Sequence, residues 1–221
     1  MANRLFLDCG SNIGQSVQAF QSWKKEDASQ YDVICFEANI EFIPPLMSRI
    51  AIYQSKFKSI NLLVLAVDDH WGTTNFDGWQ LSEFGTDNAK KRRVVPCMDF
   101  PDWFANSTDN YEEIILKLDI EGAEYKVLEK MHRLGCLSKI TQLFVEFHGF
   151  KRNFSSQDTQ RMISLVYKNG LSPYMWECSV QGELMHDPTH TMARIIPGTK
   201  DMIGATKFID HYYVVEPTTP A

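Results

Sequence analysis

Short apolar runs alternate with longer amphipathic segments along most of the chain. Each apolar run is typical of a strand that is buried on both faces of a sheet. The runs that predict strands are 5–7, 33–36, 62–67, 114–118 and 142–147, with 62–67 expected at the centre of the sheet. The helices predicted between and after them are 15–24, 42–56, 122–134 and 155–170. Strands that alternate with helices indicate an α/β fold with a parallel sheet.

Two further strands are predicted near the C-terminus, at 173–178 and 208–215. We expect them to pair as an antiparallel hairpin, so that the whole sheet has seven strands and is mostly parallel. Residues 182–205 are polar and contain Gly and Pro, which predicts a long loop. The tail 217–221 is predicted to be disordered. A chain of this length predicts one domain over residues 1–221.

The alternation breaks between residues 70 and 93, where glycines and aromatic residues lie among polar ones. This composition predicts a β-hairpin or a loop excursion, which could lie over a functional site. The segment ends in four basic residues, 90–93, for which we predict a solvated loop rather than contact with an anionic substrate. A returning strand is predicted at 94–95, and a short helix at 100–104, begun by Asp99.

Composition and charge narrow the classes of function. The chain has 221 residues, a net charge of -6 and a pI of about 5.5, which argues against a general nucleic-acid-binding protein. Its five cysteines form no C-x-x-C pair, so they predict neither a zinc site nor a disulfide framework. They indicate a reducing compartment, and we expect a cytoplasmic protein without a signal peptide. No apolar run approaches the roughly 20 residues that span a membrane.

The first predicted strand leads into a glycine turn, D-x-G-x-N-x-G, that contains Asp8, Gly10 and Gly14. The glycines allow a sharp turn and close approach of a ligand, and Ser11 or Asn12 could cap the helix that follows. Strand, turn and helix N-terminus are the parts of a nucleotide-binding crevice. A pyrophosphate fingerprint has a third glycine, and Asp8 would repel a pyrophosphate. S-adenosylmethionine (SAM), with an ammonium and a sulfonium, fits the acid better; a glycine used only for packing is the alternative.

Acidic residues also follow the second and third predicted strands. Glu37 offers two acceptor oxygens to the hydroxyls of a ribose, which both SAM and NAD contain. Asp68, beside Val67, lies where an adenine amino group could bind, although a turn residue is an equal alternative. Because the carboxyl ends of parallel strands meet at one edge of a sheet, we expect these side chains to lie close to Asp8.

The fourth and fifth predicted strands end in a second group of polar residues. Asp119 should face the same crevice, whereas Glu121 and Glu124 fall in the first turn of the next predicted helix, where the helix dipole favours negative charge. Glu146 and His148 are two residues apart, so their side chains should leave one face of the strand. His148 can act as a general base near neutral pH. With Asp119 and Glu146 it could also hold a divalent cation.

Three segments of the chain resemble the FkbM-type family of SAM-dependent methyltransferases. They are Asp8-Cys9-Gly10-Ser11-Asn12-Ile13-Gly14, Phe36-Glu37-Ala38-Asn39 and Lys117-Leu118-Asp119-Ile120-Glu121-Gly122-Ala123-Glu124. The resemblance covers about residues 5–147, and its most specific part is the run K-x-D-x-E-G-A-E. It implies a Rossmann-like class I methyltransferase fold with helices on both faces of the sheet. It also implies transfer of a methyl group to oxygen, often on sugars or other hydroxylated metabolites.

The same resemblance implies a set of cofactor-binding residues. Asp8, Gly10 and Gly14 would line the methionine part of SAM, Glu37 would bind the ribose, and Asp119 would face the sulfonium and the substrate. The full predicted cofactor set is Asp8, Gly10, Ser11, Asn12, Gly14, Glu37, Ala38, Asn39, Val67, Asp68 and Asp119.

The resulting hypothesis is an O-methyltransferase that acts on a small-molecule hydroxyl. His148 would take the hydroxyl proton, Asp119 would orient the substrate or a metal ion, and Glu146 would fix the imidazole. The substrate would contact Glu121 and the aromatic residues Trp71 and Trp176.

Three alternatives stay open at this point. The first is a non-catalytic module that binds SAM or a nucleoside. The second is an NAD-dependent oxidoreductase, against which the missing third glycine counts. The third is a nucleic-acid methyltransferase, against which the acidic pI counts, as does the lack of an N-P-P-Y-like run after the fourth strand.

Overall fold

A computed structural model describes residues 3–78, 91–148 and 154–176. Its strands are β1 (Arg4–Cys9), β2 (Tyr31–Phe36), β3 (Ser59–Leu63), β4 (Ala66–Asp68), β5 (Gly72–Gly78), β6 (Lys91–Asp99), β7 (Glu113–Leu118), β8 (Gln142–Val145) and β9 (Pro173–Tyr174). Its α-helices are α1 (Gln15–Lys24), α2 (Ile43–Tyr53), α3 (Phe100–Ser107), α4 (Glu124–Arg133) and α5 (Ser156–Lys168). Short 3-10 segments lie at Lys25–Gln30, Gln54–Lys56 and Cys136–Lys139.

Six of these strands form one parallel sheet in the order β3-β2-β1-β7-β8-β9. The chain moves outward in one direction from β1 to β3, and in the other direction from β7 to β9. The order therefore reverses between β1 and β7, the kind of position at which open α/β sheets bind ligands. The predicted α/β class and the parallel sheet are confirmed.

Alternating side chains of β1 pack against helices on the two faces of this sheet. Leu5 and Leu7 belong to a buried cluster that includes side chains of α3, α4 and α5. Phe6 points to the other face, where it stacks on Phe20 of α1 with ring centroids 3.9 Å apart. Each such side chain contributes roughly 1.5–3 kcal/mol when it is fully buried. Burial on both faces explains why β1 is an almost unbroken apolar run.

The predicted central strand over 62–67 is wrong. Its first half belongs to β3, which lies at the edge of the six-stranded sheet, and its second half is β4 of a separate sheet. The two halves are separated at Val64, which is exposed. A continuous apolar run does not reveal that the chain passes from one sheet to another, because both halves are equally apolar.

The second sheet has the order β4-β6-β5, and its β5 and β6 pair as the predicted hairpin. Residues 91–93 lie in β6, so the basic run is not wholly a solvated loop. Arg93 pairs with Phe76 in the register of the two strands and forms an ion pair with Glu41. The basic residues extend the strand because the ladder to β5 continues through them.

Helix beginnings show where local sequence signals operate. Ser155 and Asp158 form a capping box at α5. The Asp99 carboxylate accepts the N–H of Asp102 at the start of α3, where the sequence predicts a helix begun by Asp99. The predicted side-chain cap of α1 is wrong. Gly14 precedes that helix in a left-handed conformation, and the Ser11 hydroxyl donates instead to the Asp8 carbonyl.

The C-terminal part of the prediction is tested only up to residue 176. β9 is two residues long and pairs in parallel with β8. The predicted strand at 208–215, the loop at 182–205 and the tail at 217–221 lie outside the described residues, so the hairpin and the seventh strand stay predictions. Among the residues that are described, no helix is long and apolar enough to cross a membrane.

Candidate active site

An open cavity of about 620 Å³ lies where the carboxyl ends of β1, β2 and β7 meet. It is lined by Gly10, Asn12, Phe36, Glu37, Ala38, Phe42, Leu65, Ala66, Val67, Phe76, Asp119, Ile120 and Glu121. The lining combines acidic side chains with apolar and aromatic ones, a composition that is typical of small-molecule sites. The cavity therefore occupies the position that the strand order predicts for a ligand.

Gly10 permits the loops after β1 and β7 to touch. Its φ is +83°, and a Cβ added there would lie 1.8 Å from the carbonyl oxygen of Asp119. The Phe36 carbonyl accepts the N–H groups of Gly10 and Ser11 at 2.9 and 3.0 Å, which ties the same loop to the end of β2. Only a residue without a side chain fits this junction.

Glu37 is a buried carboxylate at the end of β2. Its Oε2 accepts the Asn12 N–H at 2.7 Å, and its Oε1 accepts the Asn39 N–H at 2.6 Å. Burial raises the pKa of Glu37 to about 7, although the two backbone hydrogen bonds act to lower it. Each carboxylate oxygen has a further lone pair, so Glu37 can still accept hydrogen bonds from hydroxyls in the cavity.

Asp8 lies below the cavity rather than in its lining. The side chain is fully buried, its Oδ2 accepts the Ser16 hydroxyl at 2.6 Å, and its Oδ1 is 3.2 Å from Nζ of Lys117. Lys117 is directly opposite Asp8 in the pairing of β1 with β7. The structure therefore places Asp8 against Lys117 and not in the cavity lining, where the prediction has it facing a cationic ligand.

Lys117 connects three parts of the site and was not predicted as a functional residue. Its ammonium donates to the Gly10 carbonyl at 3.0 Å, lies 3.4 Å from Oδ2 of Asp119, and contacts Asp8. The side chain is only 6% exposed. A lysine inside an otherwise apolar strand was the available signal, because a buried ammonium needs partners.

The Asp119 carboxylate lines the cavity and also faces the buried side chains of Lys117 and His148. Its side chain is 31% exposed. Burial raises the pKa of Asp119, as do the carboxylates of Glu146 and Glu124, while Lys117 and His148 act to lower it. Among the charged side chains around Lys117 and His148, Asp119 is therefore the one that reaches the cavity lining in the described part of the chain.

His148 lies behind Asp119 and is 7% exposed. Its Nδ1 donates to Oε1 of Glu124 at 2.9 Å, and its Nε2 is 3.4 Å from Glu146 and 3.8 Å from Asp119. Burial by itself lowers the pKa of His148, but hydrogen bonds with Glu124 and Glu146 outweigh it and raise the pKa to about 10. An imidazole that keeps its proton at neutral pH cannot accept another, which argues against the predicted general base. Glu124, rather than the predicted Glu146, accepts the hydrogen bond from Nδ1 of His148.

A profile of the methyltransferase FkbM domain matches residues 8–172 of the 221. The chain belongs to the FkbM methyltransferase family. This agrees with the resemblance in the sequence. A crystal structure of methyltransferase FkbM from Methylobacillus flagellatus KT is similar, with 17% identity and a TM-score of 0.41. The match covers 62% of this chain and 30% of that one, so this chain spans less than a third of that relative. No curated protein matches.

Seven residues predicted for the cofactor or substrate of this FkbM-family protein lie in the cavity lining. They are Gly10, Asn12, Glu37, Ala38, Val67, Asp119 and Glu121. Ser11, Gly14 and Asn39 lie in the supporting turns, where the Asn39 N–H binds Glu37. Glu121 precedes α4 with a φ of +61° instead of lying in its first turn, because the helix begins at Glu124.

Three other predicted residues lie elsewhere. Asp68 forms an ion pair with Lys126 of α4 and is not part of the lining, although its β4 neighbours Ala66 and Val67 are. Trp176 packs in the core against Phe144, with ring centroids 4.8 Å apart. Trp71 is 63% exposed and lies outside the lining. The structure thus gives none of the three a contact with the cavity.

The apolar part of the lining was the part that sequence reasoning missed. Phe36, Phe42 and Leu65 carry no signal that separates a cavity residue from a core residue. Phe76 comes from β5, so the hairpin does reach the cavity, as predicted for the excursion after residue 70.

Proposed function

We propose that this FkbM-family protein is a SAM-dependent O-methyltransferase that acts on a hydroxyl of a sugar or another small hydroxylated metabolite. The observation that carries the proposal is Glu37, a buried carboxylate fixed by two backbone N–H groups at the rim of the cavity. A fixed carboxylate at the end of the second strand can accept both hydroxyls of a ribose. Family membership supports the transfer of a methyl group.

The composition of the cavity fits SAM better than a dinucleotide. Glu37, Asp119 and Glu121 give the lining negative charge, which favours a cationic ligand and disfavours a diphosphate. Leu65 and Phe76 offer apolar surface for an adenine ring. SAM, when bound, would supply a methyl group already activated by its sulfonium. The chain itself then has to bind the nucleoside, exclude water and align the acceptor.

Asp119 is the residue we assign to the acceptor hydroxyl. It lies in the lining, and Lys117 and His148 face its two oxygens on the side away from the cavity. Oδ2 is 3.4 Å from Nζ of Lys117, and Oδ1 is 3.8 Å from Nε2 of His148. As the new carbon–oxygen bond forms and the carbon–sulfur bond breaks, the hydroxyl proton would pass to the Asp119 carboxylate. His148 and Lys117 would act as positioning residues.

Asp119→Asn should lower the rate of methyl transfer by about 10²–10⁴-fold, because the amide cannot take the hydroxyl proton. SAM affinity should fall much less than the rate, because Glu37 keeps the ribose site and the lining loses only one of its negative charges. The measurement is transfer of labelled methyl from SAM to a panel of sugars and other hydroxylated metabolites, with SAM binding followed by calorimetry. Glu129→Gln, a charge change on the exposed side of α4, is the matched control.

Two results would contradict this assignment. If Asp119→Asn transfers methyl as fast as the natural protein, Asp119 is not the proton acceptor. If SAM binds but no acceptor in the panel is methylated by either protein, the non-catalytic binding module is favoured.

SAM affinity should depend on pH through Glu37, whose pKa is about 7 in the free protein. The ionised carboxylate accepts hydrogen bonds from two hydroxyls, so affinity should rise with pH as the proton leaves. About tenfold tighter binding is expected at pH 8 than at pH 6. In Glu37→Gln, binding should be weak and should lose this component of the pH profile. Parallel profiles for the two proteins would show that Glu37 does not contact the ligand.

A further inference from the structure

We propose that Asp119, Glu146 and His148 form a site for a first-row divalent cation such as Mn²⁺. One ligand atom from each of the three residues lies within 4.8 Å of the others. The role suggested below for the ion rests on the proposed function, but binding of the ion does not. The site adjoins the cavity through Asp119.

The distances between the ligand atoms leave room for a shared ion, because the hydrogen bond of His148 with Glu146 is longer than an ideal charge-assisted one. Nε2 of His148 is 3.4 Å from Oε1 of Glu146 and 3.8 Å from Oδ1 of Asp119. Charge-assisted hydrogen bonds are shorter, at about 2.7–2.9 Å. Two ligands bound to one ion at about 2.1 Å lie roughly 3.0–3.4 Å apart at right or tetrahedral angles. The distance between His148 and Glu146 is at the upper end of that range, and a closer approach of Asp119 would complete the ligand set.

Glu124 orients the imidazole for this role. Its carboxylate is fully buried, and its Oε1 accepts both the Ile120 N–H and Nδ1 of His148 at 2.9 Å. A carboxylate that holds one imidazole nitrogen fixes the other as the metal ligand, an arrangement that recurs around histidine ligands in metalloproteins. The buried pair is thus already set in the orientation that an ion needs, and an ion that binds Nε2 would displace the proton that His148 holds at neutral pH without it.

The two carboxylate ligands are partly exposed, whereas the histidine ligand and the carboxylate that orients it are buried. The Glu146 side chain is 45% exposed and that of Asp119 is 31% exposed, whereas His148 and Glu124 are buried. An ion there would keep open positions toward the cavity, where the acceptor oxygen could bind and lose its proton more easily. Asp119 would bind the ion through Oδ1, and Oδ2, beside Lys117, would still take the proton. Two carboxylates and an imidazole suit Mn²⁺ or Zn²⁺ better than Ca²⁺.

A second group of potential ligands serves as an internal control. Asp68, His70 and Cys97 also lie within reach of one another. The ammonium of Lys126 contacts Oδ1 of Asp68, the same oxygen that faces His70, so it occupies the place of an ion. Lys117, by contrast, contacts Oδ2 of Asp119 and leaves Oδ1 toward His148. We therefore expect no ion at this second group.

The test is titration of Mn²⁺ into the metal-free full chain without SAM, followed by the electron paramagnetic resonance signal of the free ion. One equivalent should bind per chain. Glu146→Gln and His148→Asn should each weaken binding by about 10–100-fold, whereas His70→Asn should bind as the natural protein does. Glu146 is partly exposed, so its variant keeps the test valid if His148→Asn fails to fold.

The possible failures are distinguishable. Absence of saturable Mn²⁺ binding, or loss of binding in His70→Asn instead of Glu146→Gln, would overturn the cation site. SAM binding measured on the same samples would still test the proposed function. Mn²⁺ binding without SAM binding would contradict the methyltransferase proposal and leave the cation site standing.

Discussion

Gly10→Ala should abolish SAM binding and destabilise the protein by about 3 kcal/mol or more. The new Cβ would lie 1.8 Å from the Asp119 carbonyl oxygen. The Cβ is fixed to the backbone and the carbonyl is part of it, so neither can rotate away and the loops after β1 and β7 would have to separate. The φ of +83° adds strain for any residue with a Cβ. Separation would move Asn12, whose N–H fixes Glu37. Denaturant unfolding and calorimetry with SAM are the measurements.

Gly135→Ala is the matched control for this substitution. Gly135 has a φ of +70°, but an added Cβ would have open space around it. It should cost only about 1–2 kcal/mol from backbone strain, and SAM binding should be unchanged. If Gly10→Ala were no more destabilising than Gly135→Ala, the close contact between the two loops would be refuted.

Lys117→Met should destabilise the protein by about 3–5 kcal/mol, because it leaves the Asp8 carboxylate as a buried charge without its cation. It should also release Asp119 from one of the groups that hold it, so methyl transfer should fall further than stability alone explains. Thermal and denaturant unfolding measure the first effect, and labelled methyl transfer below the unfolding transition measures the second.

Two companion variants make the Lys117 prediction specific. Lys117→Met combined with Asp8→Asn should recover part of the lost stability, since the uncompensated charge is then absent. Lys58→Met removes a cation from an ion pair with Asp32 at the surface and should behave almost as the natural protein does. If the double variant were less stable than Lys117→Met, the charge of Asp8 would not be the cause of the instability.

The fold could be predicted well where side chains are buried on both faces of a strand. β1 and β7 stand out in the sequence because each contains an unbroken apolar run, 5–7 and 114–116, and their carboxyl ends converge as parallel topology requires. Glu37 and Asp119 therefore lie where the sequence places them. The run at 62–67 was different, because apolar content does not say which of two sheets a strand joins.

The site was harder to predict because it depends on single-residue positions and on contacts between distant segments. β1 continues to Cys9, so Asp8 is still inside the strand. Because side chains alternate between the two faces of a strand, Asp8 points to the face covered by α1, where it contacts Ser16 and Lys117. Glu124 meets His148 from α4, 24 residues away in the sequence. The periodicity of a sequence does not predict a contact between such distant residues. This contact helps to raise the pKa of His148, which argues against its predicted role as a general base.

The most direct test of the account is a crystal structure of the protein with S-adenosylhomocysteine, the demethylated product of SAM. We predict that the nucleoside occupies the cavity between β1 and β7, with both ribose hydroxyls donating to the Glu37 carboxylate and the thioether sulfur facing Asp119. A nucleoside bound away from Glu37, or no binding at saturating concentration, would contradict it.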